Sequence, residues 1–292
     1  MSVEKNDIEL PALIRLIDEP DEKIYRQIRL QILAFGEDAL TRLENARENS
    51  FDTFAQKRLA EIIRTIQTES LHQDIAQWVL TGAGELFNGA LLISRFENPG
   101  LDVAGVSRSL ARIIQDVWLE MNDQMSLLDK VKVVNHILFD VHRFAATKPG
   151  ATAPEHYFIQ DVLENKRGSS VGLGILYLIV AQSLKLPVFG VDLPFNFVLA
   201  TLDKAPARNP DAYLNAPVMF YINPVYKGMV FVRREIDRFL KESKIEINPA
   251  YYQACNNVTV IQRMVLELRS ICEREGQTEK MDGFDDILGL LR

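Results

Sequence analysis

The chain has 292 residues, 47% of them hydrophobic and 25% charged, with a formal net charge of −7. This is the composition of a folded soluble protein, long enough for two moderate domains. The acidic balance, with no dense Lys/Arg block, argues against a nucleic-acid partner.

The first residues, MSVEKNDIELPALIRLIDEPDEK, lack an n-region followed by an apolar h-region, so no secretory signal is expected. From about Leu10 to Val141 the pattern is helical. Ile24, Ile28 and Ile32 recur at one-turn spacing, and Leu59, Ile62, Ile63 and Ile66 form a second stripe. Val106, Leu110, Ile113, Ile114, Val117 and Met121 form the clearest one. Such narrow apolar faces need neighbouring helices. The opening IDEPDEKIYRQIRLQILAFGEDALTRLENA resembles one HEAT-like helical hairpin, although no regular period follows. Ser126-x-x-Asp129 is a capping-box pattern that starts a further helix.

RFAATKPGATAPEH breaks the helical pattern and marks a boundary. Beyond it come the helix FIQDVLENK and the apolar helix VGLGILYLIVAQSLK, whose run Val171–Ala181 is too short to cross a bilayer. VFGVDLPFNFVLATL and PVMFYINPVYKGMVFV read as strands, with turns at Asn223-Pro224 and Lys227-Gly228. RREIDRFLKES and VTVIQRMVLELRSICERE return to helix, the latter with Val260, Met264, Leu268 and Ile271 on one face. The expected class is α+β: a helical lobe over 1–142, a core with an antiparallel sheet over 143–245, and a helical tail over 246–292.

Cys255 and Cys272 form no CxxC or Cys/His spacing, and His72, His136, His142 and His156 form no HExxH. A cytoplasmic protein without metal or cofactor is expected, with Cys255 an ordinary thiol of the helical tail.

ENKRGSSVGLGILYLIVAQSLKLPVFGVDLPFNFVLA, followed by FYINPVYKGMVFVRREIDRFL, resembles the SirB-type transglutaminase-like core of bacteria. GELFNGALLISRFENPGLDV resembles the helical region before it. The resemblance implies a papain-like α+β core. It also implies a cysteine at the start of a buried helix, a histidine on the next strand and an Asp or Asn on the strand after. In that chemistry a helix N-terminus and an imidazolium stabilise a thiolate, and the third residue orients the histidine.

Motif for motif, the resemblance puts Gly172 at the nucleophile position, Asn196 at the histidine position and Asn223 at the third. Glycine cannot attack, and a carboxamide is no general base near neutral pH. Strand alternation predicts Phe195 and Phe197 on one face and Asn196 on the other, facing a polar pocket; Ser169, Ser170, Phe195 and Phe197 are the candidate cleft neighbours. Two functional readings follow. The first is a non-catalytic module that binds a protein, peptide or small ligand through the vestigial cleft or the helical surface. The second is a divergent amide hydrolase or acyltransferase using Ser169, Ser170 or His156. A purely structural role is a third.

Overall fold

The structure is a computed structural model that describes residues 9–148, 153–203 and 216–292. It contains two compact units, Met1–Asp74 and Ile75–Arg292. The division falls within a helix well upstream of the 142/143 boundary drawn from the sequence.

The first unit is all helical. α1 (Glu22–Leu33) begins at Asp21, whose carboxylate accepts from the Lys23 and Ile24 amides. α2 (Leu40–Asn49) follows a 3-10 turn, and α3 (Thr53–Leu80) continues past Asp74. Tyr25, Ile28, Ile32, Leu43, Leu59, Ile62 and Ile66 share one core. Ile24, placed on the buried stripe by its spacing, is 47% exposed, and Tyr25 takes that place. Arg58 holds the unit together from inside, donating to the carbonyls of Ile17 and Glu19 and to Glu22.

The second unit is α+β. α4 (Leu86–Glu97), α5 (Val103–Glu120) and α6 (Leu127–Asn135) precede a π-helical turn at His136–Val141. Ser126 caps α6 by accepting from the Asp129 amide, and its hydroxyl donates to the Asp129 carboxylate, so the N-cap half of the expected capping box forms. α5 buries Val106, Leu110, Ile113 and Val117, most of the stripe seen in the sequence. A two-residue parallel pair, β1 (Ala145–Ala146) with β2 (Arg167–Gly168), brackets α7 (Ile159–Asn165). α8 (Ser170–Ser183) is apolar all round and almost wholly buried, as a central helix must be.

α8 covers an antiparallel sheet in the order β3 (Val188–Leu193), β4 (Asn196–Leu202), β5 (Val218–Asn223) and β6 (Met229–Phe231). Its other face carries α9 (Arg233–Glu242) and a 3-10 turn at Pro249–Tyr252, packed on Val191, Val198, Ala200 and Tyr221. α10 (Asn257–Glu275) packs on α4, α8 and β3, and α11 (Thr278–Leu290) packs on α10. The residues read as a tail, and helices α4 to α6 read as part of a separate lobe, therefore belong to one compact unit with the sheet.

Candidate functional site

α8 starts where Ser169 turns the chain inward, its hydroxyl accepting from the Gly172 amide at 3.0 Å. The carbonyl of His156 comes up against this first turn and accepts from the Ser169 amide at 2.8 Å. A Cβ on Gly172 would overlap that oxygen and crowd Val162. The position that the resemblance gives to a nucleophile is thus closed by backbone, which cannot swing aside as a flexible side chain can.

The sheet register separates the other two positions from this helix. Asp192 pairs with Phe197 and Gly190 with Leu199, and Phe197 and Leu199 are the residues that meet Gly174 of α8. Alternation then sets Leu193, Asn196, Val198 and Ala200 on the opposite face. Asn196 is half-buried at the end of β4, and its carboxamide has no hydrogen-bond partner among the described residues. Asn223, two residues beyond Tyr221, falls on the same face as Asn196. Its side-chain oxygen accepts from the Val225 amide, a local turn contact. So Asn196 and Asn223 share a face, and Gly172 lies on the helix covering the other.

Phe195 and Phe197 do not behave as a pair. Pro194 and Phe195 form the tip of the β3–β4 hairpin, and Phe195 is 83% exposed with φ +61. Phe197 is fully buried. The expected alternation fails at Phe195 because that residue belongs to the turn and not to the strand.

The alternative nucleophiles have other local roles. Ser169 accepts the Gly172 amide as the cap of α8, Ser170 is the first residue of α8, and Nδ1 of His156 accepts from the Ala153 amide in its own turn. Among the described residues no hydrogen bond joins His156 to either serine hydroxyl. Cys255 lies ahead of α10 and not within a helix; its amide donates to Gly190. Burial, then the Asp192 carboxylate, push its thiol up to about 12, so it carries no thiolate at neutral pH.

What the sequence reading missed is a polar chain across the α8 side of the sheet. Arg263 of α10 donates from Nη1 to Asp192 at 2.6 Å and from Nε to Glu267 at 2.7 Å. Tyr157 sits beside Glu267 and Ser169, and burial followed by the Glu267 charge raises its ionisation far above the ordinary range. Burial opposes the charge of Arg263, but the two carboxylates more than compensate and hold it protonated. With Arg263 charged between its two carboxylates, the chain clamps α10 to β3. Its signal was Arg263 and Glu267 at one-turn spacing on a helix of otherwise apolar spacing, with Asp192 inside an apolar strand.

Across the sheet, a groove of about 500 Å³ opens beside β5, between Met219, Val232, Arg233, Ile247 and Tyr252, with Tyr221 along its wall. No residue named from the sequence lies in it. Among the described residues no group of three or more His, Cys, Asp and Glu is placed to hold a metal ion, and no helix is long and apolar enough to cross a membrane.

Comparison with known proteins agrees with this architecture. The chain is 24% identical over 196 residues to a UPF0162 protein of Vibrio cholerae, covering 66% of this chain and 68% of that one. It is 26% identical over 172 residues to mouse F-box only protein 21, covering 59% of this chain but only 26% of that protein. A UPF0162 protein of Xylella fastidiosa is 28% identical over 115 residues, covering 39% of this chain and 41% of that one. No solved structure matches. The model of the Transglutaminase-like superfamily matches residues 104–266, more than half the chain, and spans helices α5 to α9, the sheet and the first half of α10; the chain belongs to that superfamily.

Proposed function

We propose that this protein is a SirB-type member of the superfamily that has lost the catalytic triad and acts as a cytoplasmic binding module. The observation that carries this reading is the first turn of α8, where the His156 carbonyl occupies the space a side chain on Gly172 would need. A catalytic helix of this kind requires a nucleophile there, activated by a base. Here the position takes glycine, the histidine position is Asn196, and Cys255 is a protonated thiol at neutral pH.

The retained framework supports recognition instead. The α8-to-sheet packing, the Arg263 clamp and the groove beside β5 make a rigid, concave scaffold of the kind that holds a ligand. The helical unit offers a second surface for a protein partner.

The test is turnover. The purified chain is incubated with a mixed library of fluorogenic peptide amides, and separately with casein and a labelled primary amine. The reading predicts release and incorporation no faster than in buffer. Turnover that disappears in Ser169→Ala or His156→Ala, with the fold intact, contradicts it and establishes the divergent hydrolase or acyltransferase.

A further inference from the structure

The groove beside β5 combines three features that do not depend on the triad positions. The first is an open strand edge. β6 pairs with Tyr221, Ile222 and Asn223 only, so Val218–Phe220 have no strand beside them on that side among the described residues. A register shift between Thr201 and Leu202 turns β5 at this point, and Met219 stands 51% exposed at the bend.

The second feature is apolar. Met219, Val232 and Ile247 are each more than half exposed and rim one concavity, whereas isolated exposed apolar residues need no explanation. The third is charge. Arg233 lies 4.0 Å from the centre of the Tyr252 ring and makes no ion pair with a carboxylate among the described residues. Asp237, one turn along α9, accepts the Tyr252 hydroxyl through Oδ1 at 2.7 Å. A guanidinium over an aromatic ring and without a carboxylate partner has N–H groups to offer a planar anion.

We propose that the groove binds an extended peptide segment of a partner protein, one that lays an apolar side chain between Met219 and Ile247 and offers a carboxylate to Arg233. This deepens the binding-module reading and rests on it. Peptide backbone along Val218–Phe220 supplies strand-addition contacts, and the pocket and Arg233 supply specificity. Pro217 and the bend at Met219 limit pairing to a residue or two, so the side-chain contacts dominate. The carboxylate is that of an Asp or Glu side chain within the segment, and a chain terminus in its place is an outcome of the test.

The experiment selects binders from a library of random linear 12-residue peptides displayed with free C termini, using the full chain as bait. Recovered peptides are resynthesised with free and with amidated C termini, and their affinities are measured by fluorescence anisotropy. The expected result is a recovered set in which an acidic group neighbours Val, Ile, Leu or Phe. Binding should weaken about tenfold or more on Arg233→Glu, the size expected for losing one charge-assisted contact, and should weaken similarly on Ile247→Asp. Both substitutions are at exposed positions, and a thermal melt confirms folding. Amidation without effect supports the side-chain carboxylate; amidation that abolishes binding overturns that source in favour of the chain terminus. Peptides whose affinity stays within twofold on both variants overturn the groove proposal while leaving the binding-module reading in place. Failure to recover any binder overturns the groove proposal too, and the turnover assay above then decides separately whether the protein is an enzyme.

Discussion

The ring of Phe197 fills the space that a side chain on Gly174 would need: a Cβ there would lie 2.5 Å from Phe197 Cδ1. Gly190 of β3 is closed from the other side, with Phe197 Cζ 2.8 Å from where its Cβ would be. Two glycines on different elements thus form one slot, and a single buried aromatic keys α8 to the sheet. Gly174→Ala should cost about 1–3 kcal/mol through overpacking, and Phe197→Ala about 3–5 kcal/mol through the cavity left behind. Because the residues touch, the double variant should be less destabilised than the sum of the two. Urea denaturation of the four proteins measures all three quantities.

Gly228 is fixed for two reasons at once. Its φ is +72, and a Cβ would overlap the side chain of Asn135, whose Nδ2 donates to the Gly228 carbonyl at 2.7 Å. Asn135 in turn accepts from the buried Tyr177 hydroxyl at 3.0 Å, which ties the loop after Asn223 to α6 and α8. Gly276 has a similar φ of +70 but open space around it. Gly276→Ala should therefore cost only about 1–2 kcal/mol of left-handed strain, and Gly228→Ala should cost clearly more. Parallel thermal melts of the two variants distinguish strain alone from strain plus collision.

Alkaline pH should unfold the protein early. The protonated Cys255 thiol is favoured in the folded state, where its ionisation is pushed up to about 12 from 9.0. Its stabilising contribution is therefore complete below pH 9 and is lost progressively as pH rises towards 12. The buried Tyr177 and Tyr221 hydroxyls, raised by burial from 10.0, act in the same direction from pH 10 upward. A urea midpoint that is level to about pH 9 and then falls is expected, with a shallower initial fall in Cys255→Ala. Asp192→Asn should let the thiol ionise at lower pH by removing the nearby charge, as followed by thiolate absorbance.

Arg263→Leu should destabilise by about 1–3 kcal/mol, because it leaves Asp192 and Glu267 facing one another without the cation. The figure is below that for a fully buried pair because Asp192 is 43% exposed. Asp192→Asn combined with Glu267→Gln should recover part of the loss. Chemical denaturation at fixed pH is the readout.

Residues whose environment is local were legible in the sequence. Val260, Met264, Leu268 and Ile271 lie buried on α10 as their spacing required, and Ser126 caps α6. The antiparallel strands also followed from their turn residues. The site was harder because its geometry is made by distant backbone. Nothing near Gly172 in sequence announces that the His156 carbonyl closes the position. The Asp192–Arg263 contact joins residues 71 apart. Phe195 was misread because a two-residue hairpin tip takes it out of the strand pattern, and Ile24 because Tyr25 outcompeted it for the core. The domain division was obscured because α3 runs through it without a break in helical periodicity.

The central claim is that the start of α8 no longer performs covalent chemistry. The most direct measurement is intact-protein and peptide mass spectrometry after incubation with an excess of activated esters and fluorophosphonate. The account predicts no stoichiometric adduct on Ser169, Ser170, His156 or Cys255 near neutral pH. A one-to-one adduct on Ser169 or Ser170 that vanishes in His156→Ala, with folding preserved, would contradict it.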